Sequence, residues 1–130
     1  MLALVVSDSC SLRDILKRTL QERGFEVATA ASDGDALAVI DDTCPDLALI
    51  DRNLPEMSGF DLVGKIRSEP RCRLIRLILI TAESTAPEIS FALATGADDY
   101  LASPFTPEAV YDKLRLVGLR VPDAAGVPFA

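Results

Sequence analysis

At 130 residues the chain has the length of one ordinary domain, and with 49% hydrophobic and 25% charged residues it can bury a core and is not disordered. A net charge of −7 argues against nucleic-acid binding by this domain alone, because no basic patch is present to neutralise phosphates. No apolar stretch approaches the length of a membrane span. Three cysteines, Cys10, Cys44 and Cys72, lack metal-ligand spacing, and the chain has no His, so a zinc site is not expected. Reduced thiols in a cytoplasmic protein are the natural reading. Met1 leads straight into an apolar run with no basic segment before it, so no signal peptide is expected.

Five strand-like runs alternate with five helix-like ones. Leu2 to Val6 reads as the first strand. The helix after it carries Leu12, Ile15, Leu16, Thr19 and Leu20 at helical spacing and is stopped by Gly24. Phe25 to Thr29 is a weaker, alternating strand. Asp33 or Gly34 opens a second helix through Ala36, Leu37, Val39 and Ile40, and Asp42-Thr43-Cys44-Pro45 reads as a loop. The third strand runs from Leu47 to Ile50 or Asp51. Its helix carries Phe60, Leu62, Val63 and Ile66 and ends before Pro70. Leu77 to Thr81 is the fourth strand. A fourth helix begins near Ala86-Pro87, with Pro suited to a first turn, and ends at Gly96. Tyr100-Leu101-Ala102 is a short fifth strand. Thr106-Pro107-Glu108 supplies an N-cap, a first-turn Pro and a first-turn acid for the last helix, which runs through about Val117. Residues 119–130 lack periodicity and read as a tail or a linker stub.

Regular alternation of this kind predicts an α/β domain: a parallel sheet with helices on both faces. Five strands at this length fit a flavodoxin-like (βα)5 fold with strand order 2-1-3-4-5, whose crevice lies at the ends of the first and third strands. Asp8 follows the first of these strands and Asp51 ends the third. Alone, Asp8 would read as a helix cap. Together, two carboxylates delivered to one sheet edge suit a hard divalent cation and chemistry at a phosphoryl group.

Four signals in order make the chain resemble the receiver domains of bacterial two-component response regulators over residues 1–118. They are Asp8; the run Asp51-Arg52-Asn53-Leu54-Pro55-Glu56-Met57-Ser58-Gly59; Thr81-Ala82-Glu83; and Gly96-Ala97-Asp98-Asp99-Tyr100-Leu101-Ala102-Ser103-Pro104-Phe105. The resemblance implies a signalling module rather than an enzyme. Asp51 would take a phosphoryl group from a histidine kinase or phosphotransfer protein. Mg²⁺ would be held by Asp8, Asp51 and the backbone carbonyl of Asn53. Thr81 would bind the phosphoryl group, and Tyr100 would turn inward behind it to reshape a surface read by a downstream protein or fused output domain. A cis Ser103–Pro104 bond is also expected.

Two departures stand out against that resemblance. Ser7 replaces the acid the family usually places before Asp8, and Ser103 replaces its Lys. They cancel in formal charge, which suggests that they are linked. Loss of a charge-assisted hydrogen bond from the Lys would weaken coupling to the phosphorylated state about ten- to a hundredfold. An alternative is a pseudo-receiver, an interaction module that signals without phosphate. A phosphohydrolase of the haloacid dehalogenase type would need an acid where Asn53 stands. A flavin binder would place the flavin phosphate against Asp8, which would repel it.

Overall fold

A computed structural model describes residues 1–82 and 85–119. Five strands, β1 (Leu2–Val6), β2 (Glu26–Ala30), β3 (Leu47–Asp51), β4 (Arg76–Thr81) and β5 (Asp99–Ala102), form one parallel sheet in the order β2-β1-β3-β4-β5. The helices are α1 (Cys10–Gln21), α2 (Asp33–Thr43), α3 (Gly59–Arg67), α4 (Ala86–Thr95) and α5 (Pro107–Leu116). A short 3₁₀ turn, Pro70–Cys72, joins α3 to β4. The expected α/β architecture and strand order are both observed. Among the described residues no helix is long and apolar enough to cross a membrane.

The strands are apolar almost throughout because both faces of the sheet are covered. Alternate residues feed two cores. Ala3, Val5, Leu47, Leu49, Ile78, Ile80 and Leu101 pack with α1 and α5; Leu4, Val6, Ala48, Ile50, Leu77 and Leu79 pack with α2, α3 and α4. The Tyr111 hydroxyl donates to the Thr19 carbonyl at 3.0 Å, tying α5 to α1 inside the first core.

Several boundaries differ from the sequence reading. Helix α2 continues to Thr43, and Cys44 closes it with a left-handed φ of 46° while its N–H donates to the Ile40 carbonyl, so the expected loop begins later. Helix α1 stops at Gln21, with Gly24 in the turn behind it. Strand β2 is displaced by one residue, although Phe25 is still buried. Ile15, placed by spacing on the buried face of α1, is 50% exposed; Leu16 and Leu20 hold that face instead. The helical stripe here is narrower than the apolar spacing suggests, since α1 lies over the end of the sheet beside β2. The expected tail begins at Leu119, which still packs on the α1/α5 core, and beyond it lies outside the described residues.

Candidate functional site

The sheet brings the sequence-predicted residues to one edge. In the β1–β3 register Val6 lies beside Ile50, so the next residues along, Ser7 and Asp51, are neighbours across 44 positions of sequence. Asp51 pairs with Ile80 on β4, which puts Thr81 one step beyond it, and Thr81 pairs in turn with Ala102 on β5. The Ser103 N–H donates to the Thr81 carbonyl at 2.8 Å, and the Ser103–Pro104 bond is cis, as expected. Asp8, Asp51, Thr81 and Ser103 thus follow or end four adjacent strands. Thr81 is buried, Asp51 half-buried and Asp8 exposed.

Asp8 is not the cap of α1. That role belongs to Ser9, whose hydroxyl accepts the Leu12 N–H at 3.3 Å. Among the described residues the Asp8 carboxylate makes no hydrogen bond or ion pair, so its oxygens are free to ligate. The Asp51 carboxylate is held at both oxygens. Asn53 donates its backbone N–H to Oδ1 at 3.1 Å, and the Ser7 hydroxyl donates to Oδ2 at 2.9 Å. Two carboxylates and main-chain carbonyls form an all-oxygen donor set, which fits a hard ion such as Mg²⁺ rather than a soft one.

The loop after Asp51 is tightly wound. The Gly59 N–H donates to the Arg52 carbonyl at 2.7 Å, and Asn53 bridges to Ser58. Gly59 is required for space. A Cβ there would run into the Asp51 carbonyl oxygen and come within 2.8 Å of Leu79 Cδ1 and 2.9 Å of Arg52 Cα. Ser58 caps α3 by accepting the Asp61 N–H.

Sequence reasoning missed four contributors. Along the sequence Ser7 is an absent acid, yet it is a fully buried donor to Asp51. Arg13 donates to the Ser7 carbonyl at 2.6 Å and fixes the turn that presents it. Arg52 reaches from the loop after Asp51 to Glu88 on α4 at 2.6 Å, over the Phe60 ring. Arg67 gathers the far loops: it donates to the carbonyls of Gly96, Cys72 and Arg73 and pairs with Asp98 at 2.6 Å. Asp98 also accepts the Leu77 N–H, which explains why an acid stands in the Gly96-Ala97-Asp98 run. The only sequence signal for these was the presence of a polar or basic residue beside each motif.

Tyr100 is half-buried on the edge strand. The Lys113 ammonium lies 4.2 Å from its ring centroid and also pairs with Asp99 at 3.1 Å. Ser103 is half-buried, and among the described residues its hydroxyl makes no hydrogen bond.

The family described as the response regulator receiver domain matches residues 3–115. Chemotaxis protein CheY1 of Helicobacter pylori is 41% identical over 116 residues, covering 88% of this chain and 94% of that protein. Chemotaxis protein CheY4 of Vibrio cholerae superposes with a TM-score of 0.85 at 34% identity, over 89% of this chain and 97% of that structure. A longer relative, the phosphate regulon transcriptional regulatory protein PhoB of Rhizobium meliloti, is 38% identical over 105 residues, 80% of this chain and 46% of that protein.

Proposed function

The chain belongs to the response regulator receiver family, and from that membership we propose that Asp51 is its phosphoacceptor. The donor is a phosphohistidine on a histidine kinase or phosphotransfer protein. A carboxylate oxygen of Asp51 attacks phosphorus, and the P–N bond breaks with its electrons remaining on the imidazole. The observation that carries this reading is the convergence of Asp8, Asp51, Thr81 and Ser103 at the ends of four adjacent strands, with the Asp51 carboxylate oriented from both sides.

Receiver domains generally bind Mg²⁺ at the phosphorylation site. In this chain Asp8, Asp51 and the Asn53 carbonyl are the groups that would hold it. Its charge, when bound, offsets the repulsion between the carboxylate and the anionic phosphoryl group. The ligand set has only two side-chain carboxylates, so weak, millimolar-range affinity is expected. Thr81 supplies a hydroxyl to the phosphoryl oxygens. Tyr100 leaves its contact with Lys113 as the α4–β5–α5 surface changes, and a downstream protein or fused output domain reads that change. The domain is assigned to about residues 1–118. Its free thiols agree with a reducing, cytoplasmic setting.

One observation favours the second reading, a module that signals without phosphate: no ammonium stands at position 103. Incubation with Mg²⁺ and acetyl phosphate, followed by intact-mass spectrometry, separates the two. The parent gains one phosphoryl group and Asp51→Asn gains none. An unmodified parent would select the phosphate-independent module.

A further inference from the structure

Ser7 has an unusually determined hydrogen-bonding arrangement. Its residue is fully buried, and its N–H donates to the Ala30 carbonyl at 3.0 Å. Its carbonyl accepts from Arg13 Nη1. Its hydroxyl oxygen accepts the Ser9 N–H at 3.1 Å. A hydroxyl has a single hydrogen. The Ser9 N–H must supply its own hydrogen to that contact, and an ionised carboxylate has none. The Ser7 hydrogen is therefore directed at Asp51 Oδ2. A carboxylate at position 7 could accept the Ser9 N–H but could not donate to Asp51.

The partner site is the complement. Among the described residues Asp51 receives one donor per oxygen, Ser7 on Oδ2 and the Asn53 N–H on Oδ1. The hydroxyl of Ser103, on the opposite side of the pocket, makes no such contact among the described residues. We propose that Ser7 is a positioning residue for Asp51, the donor that orients the acceptor carboxylate from the β1 side where position 103 has ceased to do so from the β5 side. The two departures from the family's pattern are thus linked by an exchange of donor, more directly than by their charge alone. The proposal rests on Asp51 being the acceptor, but the hydrogen bond itself can be tested without phosphorylation.

The test is a cycle of parent, Ser7→Ala, Ser103→Lys and the double variant. Two quantities are measured: the rate of Asp51 phosphorylation by acetyl phosphate at saturating Mg²⁺, and the ¹³Cγ resonance of Asp51 in the absence of phosphoryl donor. Misorientation of a reacting group costs on the order of ten- to a hundredfold, so Ser7→Ala is expected to lower the maximal rate by at least about tenfold. Half-saturation by acetyl phosphate should change less than about twofold, because Ser7 acts on the acceptor and not on the donor. In the Ser7→Ala background Ser103→Lys should recover most of the rate, because it returns a donor to the same carboxylate. In the parent it should add little. A merely structural role for Ser7 would not be rescued from 96 positions away. Equal effects of Ser103→Lys in both backgrounds would overturn the proposal, as would an unchanged rate in Ser7→Ala. If no variant takes a phosphoryl group, the acceptor reading fails on its own, and Ser7 is judged by the resonance: a displaced Asp51 ¹³Cγ signal in Ser7→Ala sustains the hydrogen bond, and an unmoved one sinks it. If Ser7→Ala does not fold, the parent alone decides, through a slowly exchanging Ser7 hydroxyl proton with a through-space contact to Asp51.

Discussion

Helix α3 contains two glycines for which the same substitution should have opposite outcomes. At Gly59 an added methyl would meet the Asp51 carbonyl oxygen, Leu79 Cδ1 at 2.8 Å and Arg52 Cα at 2.9 Å. Leu79 is a core side chain and can adjust, but the other two obstacles are backbone and cannot yield without moving the end of β3 and its loop. Overpacking of this kind costs about 1–3 kcal/mol. Displacing the loop also strains the 2.7 Å bond from the Gly59 N–H to the Arg52 carbonyl, worth a further ~1 kcal/mol. The better helix propensity of Ala offsets less than about 1 kcal/mol at a first-turn position. Gly59→Ala is therefore expected to destabilise by about 2–3 kcal/mol. At Gly64 an added methyl meets nothing within 4 Å, so Gly64→Ala should stabilise by about 0.5–1 kcal/mol through helix propensity alone. Urea unfolding of both variants, read by circular dichroism, measures the pair: the midpoints should move in opposite directions with m unchanged. A Gly59→Ala protein within about 0.5 kcal/mol of the parent would refute the argument that this glycine is required for space.

Three further outcomes are expected. Arg67→Ala removes the pair with Asp98 and the donors to three carbonyls, and should cost about 2–3 kcal/mol in urea unfolding; Arg67→Lys should recover only part of this, because one ammonium cannot span those acceptors. Tyr111→Phe leaves the Thr19 carbonyl without its buried hydroxyl donor and should cost about 1 kcal/mol by the same assay, with an unchanged midpoint arguing that water replaces it. Burial raises the Cys72 thiol above its ordinary value, so the folded state holds that proton more tightly than the unfolded chain does. Its contribution to stability is complete below the ordinary thiol value and is lost as pH rises towards the raised folded value, because only the unfolded thiol ionises readily in that window. Unfolding midpoints compared at neutral and alkaline pH should fall more for the parent than for Cys72→Val, and in the native state a thiol reagent should modify the exposed Cys10 and Cys44 well before Cys72.

Much of this protein was legible in its sequence because the signals were local. An apolar run with an Asp at or just past its end marks a buried strand and its carboxyl edge, so Asp8 and Asp51 could be placed from the sequence alone. Thr106-Pro107-Glu108 announced the start of α5, and Thr106 does cap it by accepting the Ala109 N–H. Regular alternation of strands and helices fixed the layers, and the crossover rule for such sheets left few strand orders to choose among. Local signals failed where short-range and long-range forces compete. The stop of α2 and the exposure of Ile15 depend on where each helix lies across the sheet, not on the helix's own pattern. The meaning of Ser7 was decided entirely by tertiary structure. Read along the chain, Ser7 is a missing acid; across the β1–β3 register it is a buried donor on the Asp51 carboxylate. Charge can be counted from composition, but the direction of a hydrogen bond depends on which two strand ends the parallel sheet sets side by side. Gly59 is the same case: its motif could be recognised from spacing, while the reason a side chain is excluded there is the Asp51 carbonyl, eight residues earlier and brought against it only by the turn of the folded loop.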